Sequence, residues 1–280
     1  MTVEEIIKNA LAEDLGNGDH TSLATIPAGA TGRAELMIKE DGVIAGIEVA
    51  EKVFKTVDPG IKFIGLMDDG QQVKRGDIVF TVSGKSISIL SAERLALNFL
   101  QRMSGIATNT RTMADKLEGH QTKLLDTRKT TPNLRVLEKM AVRAGGGHNH
   151  RFGLFDMILI KDNHVDFAGG IMPAIDATRK YLEEKGLNLK IEIEVRDFNE
   201  LDEVLDRGGV DRIMLDNFTV DGIKTALQRI NGRYETEASG GINIDNIRHY
   251  AETGVDFISS GALTHQIKSL DMSLKAVHNF

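Results

Sequence analysis

From residue 123 onward one rhythm governs the chain: a short β-rich run and then a helical stretch, repeated at intervals of roughly 20 to 35 residues. The strand candidates are KLLDT, DMILIKDN, KIEIEV, DRIMLDN, YETEASGG and DFISSG, and amphipathic segments begin between them near Asn133, Ile171, Asn199, Val220 and Ile244. A strand, a crossover helix and a second strand can close only as a parallel pair, so the alternation dictates a parallel sheet lined with helices. Six such units predict an α/β barrel, complete or partly open. An open doubly wound sheet fits the same alternation, but no GxGxxG follows a first strand, which favours the barrel.

The first hundred residues read differently. A helical start leads into an acidic turn, EDLGNGDHTS (13 to 22), and then into strand-like runs such as RAELMIKE, KFIGLM and DIVFTVSG, punctuated by glycines. This predicts an α+β segment with an antiparallel sheet. The stretch 91 to 119 carries Leu95, Leu97, Phe99, Leu100 and Met103 at helical spacing, so one or two long helices are expected there, joining the halves.

Several function classes fall away on composition. No run of apolar residues approaches the ~20 needed to span a bilayer, and the acidic, amphipathic MTVEEIIKNALAEDL is unlike an export signal. There is no cysteine, which excludes disulfides, thiolate metal sites and cysteine nucleophiles and suits a cytoplasmic location. A net charge of -7 argues against nucleic acid as a partner unless the basic residues are gathered.

They are gathered between residues 126 and 161. Arg128, Lys129, Arg135, Lys139, Arg143, Arg151 and Lys161 stand there against three acids, Asp126, Glu138 and Asp156. Arg135, Lys139 and Arg143 are spaced as neighbours on a helix and are expected to form a solvated face. The others lie where a parallel barrel builds its active site, at the C-terminal ends of strands. Arg128 and Lys129 follow the first strand, Lys161 the second, Glu194 ends the third and Asp216 the fourth. Ser239, Gly240 and Gly241 follow the fifth, and Ser260 and Gly261 the sixth. Strand interiors of a barrel are expected to be apolar, so these charges should face a common mouth.

Cations beside two carboxylates suit a polyanionic substrate that arrives with a divalent metal. Arginine and lysine make charge-assisted bonds to carboxylate and phosphate oxygens. Glu194 and Asp216 could hold Mg²⁺, which favours a few carboxylates plus substrate phosphates over a full protein cage. The SGG and SGA turns could present backbone N–H groups at helix N-termini to a phosphate monoester. GGGHNHR (145 to 151) reads as a loop that lets chain approach ligand, with His150 and Arg151 as its working ends. A metal site from His148, His150 and His164 is a weaker possibility, since it lacks an i, i+4 pair on a helix.

At these residues the sequence resembles the quinolinate phosphoribosyltransferases. The likeness rests on EDLGNGDHTS, AERLALNFLQRMSGIAT (92 to 108), DTRKTTPNLR (126 to 135), AVRAGGGHNHRFGLFDMILIKDNH (141 to 164), LDNF, EASGGI and TGVDFISSGALTH (253 to 265). The resemblance implies an N-terminal α/β sandwich, residues 1–107 completed by 268–280, beside an incomplete TIM-like α/β barrel, residues 108–267. It implies joining of quinolinate to phosphoribosyl pyrophosphate with loss of carbon dioxide, giving nicotinate mononucleotide. It also implies a homodimer, with further association left open, in which Arg94 reaches the partner's site.

On that pattern Arg94, Arg128, Lys129, His150, Arg151 and Lys161 would bind the quinolinate carboxylates and the pyrophosphate. Glu194 and Asp216 would hold Mg²⁺, and the SGG and SGA turns would seat the 5′-phosphate. Two other readings compete: a barrel aldolase or decarboxylase with Lys161 as a Schiff base, and a phosphate-ligand binding protein without catalysis.

Overall fold

A computed structural model describes residues 1–277; the last three residues of the expected 268–280 segment lie outside the described residues. The chain groups into two compact units. The first comprises residues 1–111, 130–146 and 263 onward, and the second comprises 112–129 and 147–262.

The first unit begins with α1 (Val3–Leu15), whose start is fixed by a capping box. Thr2 Oγ accepts the Glu5 N–H while the Glu5 carboxylate accepts the Thr2 N–H, satisfying two amides that the helix itself leaves open. The acidic turn holds a short helix, α2 (His20–Thr25), with Asp19 as its cap. Then come β1 (Thr31–Ile38), β2 (Gly42–Val43), α3 (Ile47–Val57), β3 (Lys62–Gly65), β4 (Gln72–Val73) and β5 (Ile78–Lys85). In β1 the side chains alternate, burying Ala34, Leu36 and Ile38, as a strand with one covered face must. Phe54 of α3 meets Phe63 and Phe80 in one aromatic cluster beneath the sheet. Helix α4 (Ser86–Asp115) is one continuous 30-residue helix, starting five residues before the predicted stretch.

In the second unit β6 (Lys123–Leu125) opens the alternation, and α5 (Arg135–Ala144), which follows it in sequence, belongs to the first unit. The second unit continues with β7 (Ile158–Ile160), α6 (Asp162–Ala168), α7 (Ile171–Lys185), β8 (Ile191–Val195) and α8 (Phe198–Arg207). It ends with β9 (Arg212–Asp216), α9 (Val220–Ile230), β10 (Glu235–Ser239), α10 (Ile247–Ala251) and β11 (Phe257–Ser259). All six predicted strands form. They lie parallel in the order β6-β11-β10-β9-β8-β7, and a single parallel bridge from Leu125 to His148 adds a strand-like step beyond β6. The result is the open, barrel-like parallel sheet that the repeat demands. The remaining strand, β12 (Met272–Ala276), returns to the first unit and gives its sheet the order β12-β1-β5-β3, antiparallel throughout.

Two expectations need correction. Lys139 does not lie on a solvated face: it is only 4% exposed on α5, and Glu138 beside it is buried in a two-nitrogen grip from Arg102. Nor is the barrel interior apolar. Register places Glu192 opposite Arg212, and Glu237 opposite Met214, so these positions share one face of the sheet, and both glutamates are fully buried there.

Candidate active site

The strand ends converge as the repeat requires. Ser239 pairs in register with Asp216, Ser259 with Leu125, and Glu194 with Met214 two residues short of Asp216. Because side chains alternate along a strand, Glu194 and Asp216 emerge on the same side, at the carboxyl edge. Lys161, the residue after β7, donates from Nζ to Glu194 Oε2 at 2.8 Å. Burial pushes the Asp216 carboxyl above its usual range, the neighbouring Glu194 and Asp162 charges add to that, and Lys161 offsets part of it. Asp216 is further held by the Asn217 amide, which donates to Oδ2 at 2.6 Å.

A second set of cations belongs to the segment after β6 and to the glycine loop. Arg151 is 8% exposed, and its Nη1 donates to the Met157 carbonyl at 3.2 Å. Burial weakens the hold of its guanidinium on the proton, the nearby Arg128 charge does the same, and Glu192 and Asp156 act the other way. Two guanidiniums within electrostatic reach of each other repel, and such a pair is suited to receiving an anion. Lys129 is exposed, its backbone N–H donating to Thr127 Oγ1 at 3.0 Å.

The loop that presents Arg151 is tied down by a residue that the sequence reading counted only as a charge. Asp126, fully buried, accepts the His150 N–H at 2.8 Å and the Asn149 side-chain amide at 2.6 Å. Its position directly after β6 was the available signal. His150 turns its ring into the sheet interior, with Nε2 3.0 Å from Glu192 and 3.4 Å from Glu237, and Arg212 lies 3.2 Å from Glu237. Burial opposes a charge on this ring, but the two carboxylates outweigh it and raise its pKa to about 9. The Arg151 N–H, however, points at Nδ1 from 2.7 Å, and a doubly protonated ring would have no lone pair there. Both observations require a proton on Nε2, facing the acids; the contact at Nδ1 favours the neutral ring. Among the described residues, the cluster of three or more potential metal ligands is His150, Glu192 and Glu237, without His148 or His164.

Neither glycine turn heads an α-helix, contrary to expectation. Gly240 and Gly241 take φ of 98° and 61°, values that glycine reaches without a steric penalty, but α10 begins only at Ile247, so SGG does not head a helix. Ser260 Oγ donates to the Ile242 carbonyl at 2.7 Å, tying the two turns together, and Gly261 opens a 3₁₀ turn. Arg94 is an exposed side chain of α4, in the first unit, beside Glu93.

Residues 19–104 match the family described as quinolinate phosphoribosyl transferase, N-terminal domain, and residues 106–275 match its C-terminal domain. This chain belongs to the quinolinate phosphoribosyltransferase family. It is 47% identical to quinolinate phosphoribosyltransferase [decarboxylating] 2b, mitochondrial, of Nicotiana tabacum, over 98% of this chain and 82% of that protein. It is 40% identical to the probable nicotinate-nucleotide pyrophosphorylase [carboxylating] of Bacillus subtilis, over 98% of this chain and 93% of the relative. The solved structure of NadC from Streptococcus pyogenes superposes with a TM-score of 0.93 at 40% identity, covering 99% of this chain and 97% of that one. As a phosphoribosyltransferase of this family, the chain combines an N-terminal domain and a barrel-like domain, and none of its described helices is long and apolar enough to cross a membrane.

Proposed function

We propose that the protein transfers the phosphoribosyl group of phosphoribosyl pyrophosphate to quinolinate, releasing pyrophosphate and carbon dioxide and giving nicotinate mononucleotide. What supports this reading is that, in a family member, the segments following the parallel strands carry Arg128 within electrostatic reach of Arg151, and Lys161 bound to Glu194 beside Asp216. A dicarboxylate and a pyrophosphate both need such cations.

As the C1′–O bond to pyrophosphate stretches, negative charge gathers on the leaving oxygens and the ribose takes on oxocarbenium character. Arg128, Lys129, Arg151 and Lys161 stabilise that charge better than the ground state, which lowers the barrier. The quinolinate ring nitrogen bonds to C1′ as pyrophosphate leaves. The pyridinium so formed stabilises the electron pair left at C2 when carbon dioxide departs, and a proton then fills that position.

Glu194 and Asp216 fit a magnesium ion, since two neighbouring carboxylates share one lysine, and burial and the Glu194 charge raise the Asp216 pKa, a shift that a bound cation would oppose. When bound, Mg²⁺ would neutralise phosphate oxygens of the substrate. Arg94 is proposed to complete the site of a second subunit in a homodimer. Exposed Leu154, Phe155 and Phe167 on the second unit offer apolar surface for such an association. A cytoplasmic location is proposed as well, on the absence of cysteine, and fractionation of the source cells checks it.

Incubation with quinolinate, phosphoribosyl pyrophosphate and Mg²⁺ should yield nicotinate mononucleotide and equimolar pyrophosphate, with the rate abolished by EDTA and restored by Mg²⁺. No product from the two substrates would end the proposal. A Schiff-base lyase at Lys161 is not favoured, because its amine is engaged by Glu194. Borohydride with a carbonyl substrate should leave no adduct.

A further inference from the structure

The charged floor beneath the mouth has no part in the chemistry above, and burying it is costly. Glu192 and Glu237 are both 0% exposed, and neither Glu192 oxygen has an aligned hydrogen bond. A buried carboxylate so poorly satisfied as Glu192 is a weak contributor to stability, and an apolar residue of similar volume would serve the core as well or better. The geometry of the two glutamates instead leads upward. Glu192 and Glu237 hold the His150 ring from below at 3.0 and 3.4 Å, and Nδ1 on the far side of that ring receives the Arg151 N–H. The same segment is pinned by Asp126, and Arg212 stacks on Phe257 while pairing with Glu237, so the floor is itself anchored.

We propose that Glu192 and Glu237 are positioning residues that, acting through His150, fix Arg151 beside Arg128 in the arrangement that receives a substrate carboxylate. The inference rests on the phosphoribosyl-transfer reading. It makes a prediction opposite in sign to plain electrostatics. Removing a buried negative charge beneath a cationic pocket should, through Coulomb attraction alone, tighten the binding of an anion. Loss of positioning should loosen it.

The test uses the full-length enzyme, with quinolinate binding followed by calorimetry and both substrates' KM values by steady-state kinetics. Glu192→Gln, folded with a thermal midpoint close to that of the unaltered protein, is expected to raise the quinolinate Kd and KM about tenfold, or about 1.4 kcal/mol. The KM for phosphoribosyl pyrophosphate should change less, a split that general loosening of the fold would not produce. Should Glu192→Gln fail to fold, Glu237→Gln is read by the same criterion. Unchanged or tighter quinolinate binding in the folded variant overturns the proposal while leaving the activity intact. One equivalent of a transition metal retained by the unaltered protein and lost from Glu192→Gln also overturns it, making the cluster a metal site. If the unaltered protein neither binds quinolinate nor forms product, the transfer reading itself fails and takes this proposal with it.

Discussion

Lys129 and Lys161 follow different strands, β6 and β7, and both belong to the proposed quinolinate site. Replacing either with alanine is expected to lower kcat/KM by more than ~100-fold, roughly 2.7 kcal/mol of transition-state stabilisation. Lys161→Ala should do additional harm, because Glu194 would lose the partner 2.8 Å away and stand beside Asp216 uncompensated. Steady-state kinetics on both variants checks this, and near-unaltered rates in both would remove the lysines from the mechanism. These residues were legible because each followed a recognisable strand. Glu192, Arg212 and Glu237 were harder to see, although IEIEV, RIMLD and ETEAS spell them out. The alternation placed Glu192 on the same side as Glu194, and the assumption of an apolar interior hid what that implied. A charge at an inward position of a central parallel strand was the missed signal.

Among the elements, the turn after β10 is the most constrained. Gly240 holds φ near 98°, and a Cβ there would collide with the Asn217 side chain and come within 2.8 Å of its backbone nitrogen. Asn217, itself at φ of 56°, hydrogen-bonds Asp216. Gly240→Ala should therefore cost about 1 to 3 kcal/mol in stability and displace Asp216. A lowered thermal midpoint, together with a higher Mg²⁺ requirement for half-maximal rate, is the expected outcome. The glycine pair was readable as a turn. Its distance from α10 was not, because the residues from Ile242 to Asn246 form a turn of their own, closed by the Asn246 side chain onto Asn243 N–H and the Gly241 carbonyl. The strands were easier, since six β-rich runs at regular spacing leave few other folds open. The short helix α6 escaped notice because seven residues show barely two turns of periodicity.

For the whole molecule, the proposed dimer makes a quantitative demand. If Arg94 serves the neighbouring subunit, Arg94→Ala and Lys161→Ala should each be nearly inactive, yet subunits exchanged between the two should regain about a quarter of full activity. Half the dimers would then be mixed, and each mixed dimer would carry one intact site. No recovery after verified exchange would place Arg94 in its own subunit or outside the chemistry. Nothing in the periodicity of α4 singled Arg94 out, since an exposed arginine on a helix is ordinary, and only the family likeness suggested its role.

One strand pairing also bears on how the protein is made. In the first unit β1, from residue 31, finds one of its two neighbours only in β12, whose residues start at 272. A nascent chain must emerge almost to that point before this sheet can be finished, so Leu36 and Ile38 wait through the synthesis of every strand of the barrel. Antiparallel pairing with β5, which starts at Ile78, can form early, but the far edge stays open to other chains until β12 docks. Slow synthesis or premature termination upstream of Met272 would thus leave a folded barrel tethered to an adhesive, half-built sheet.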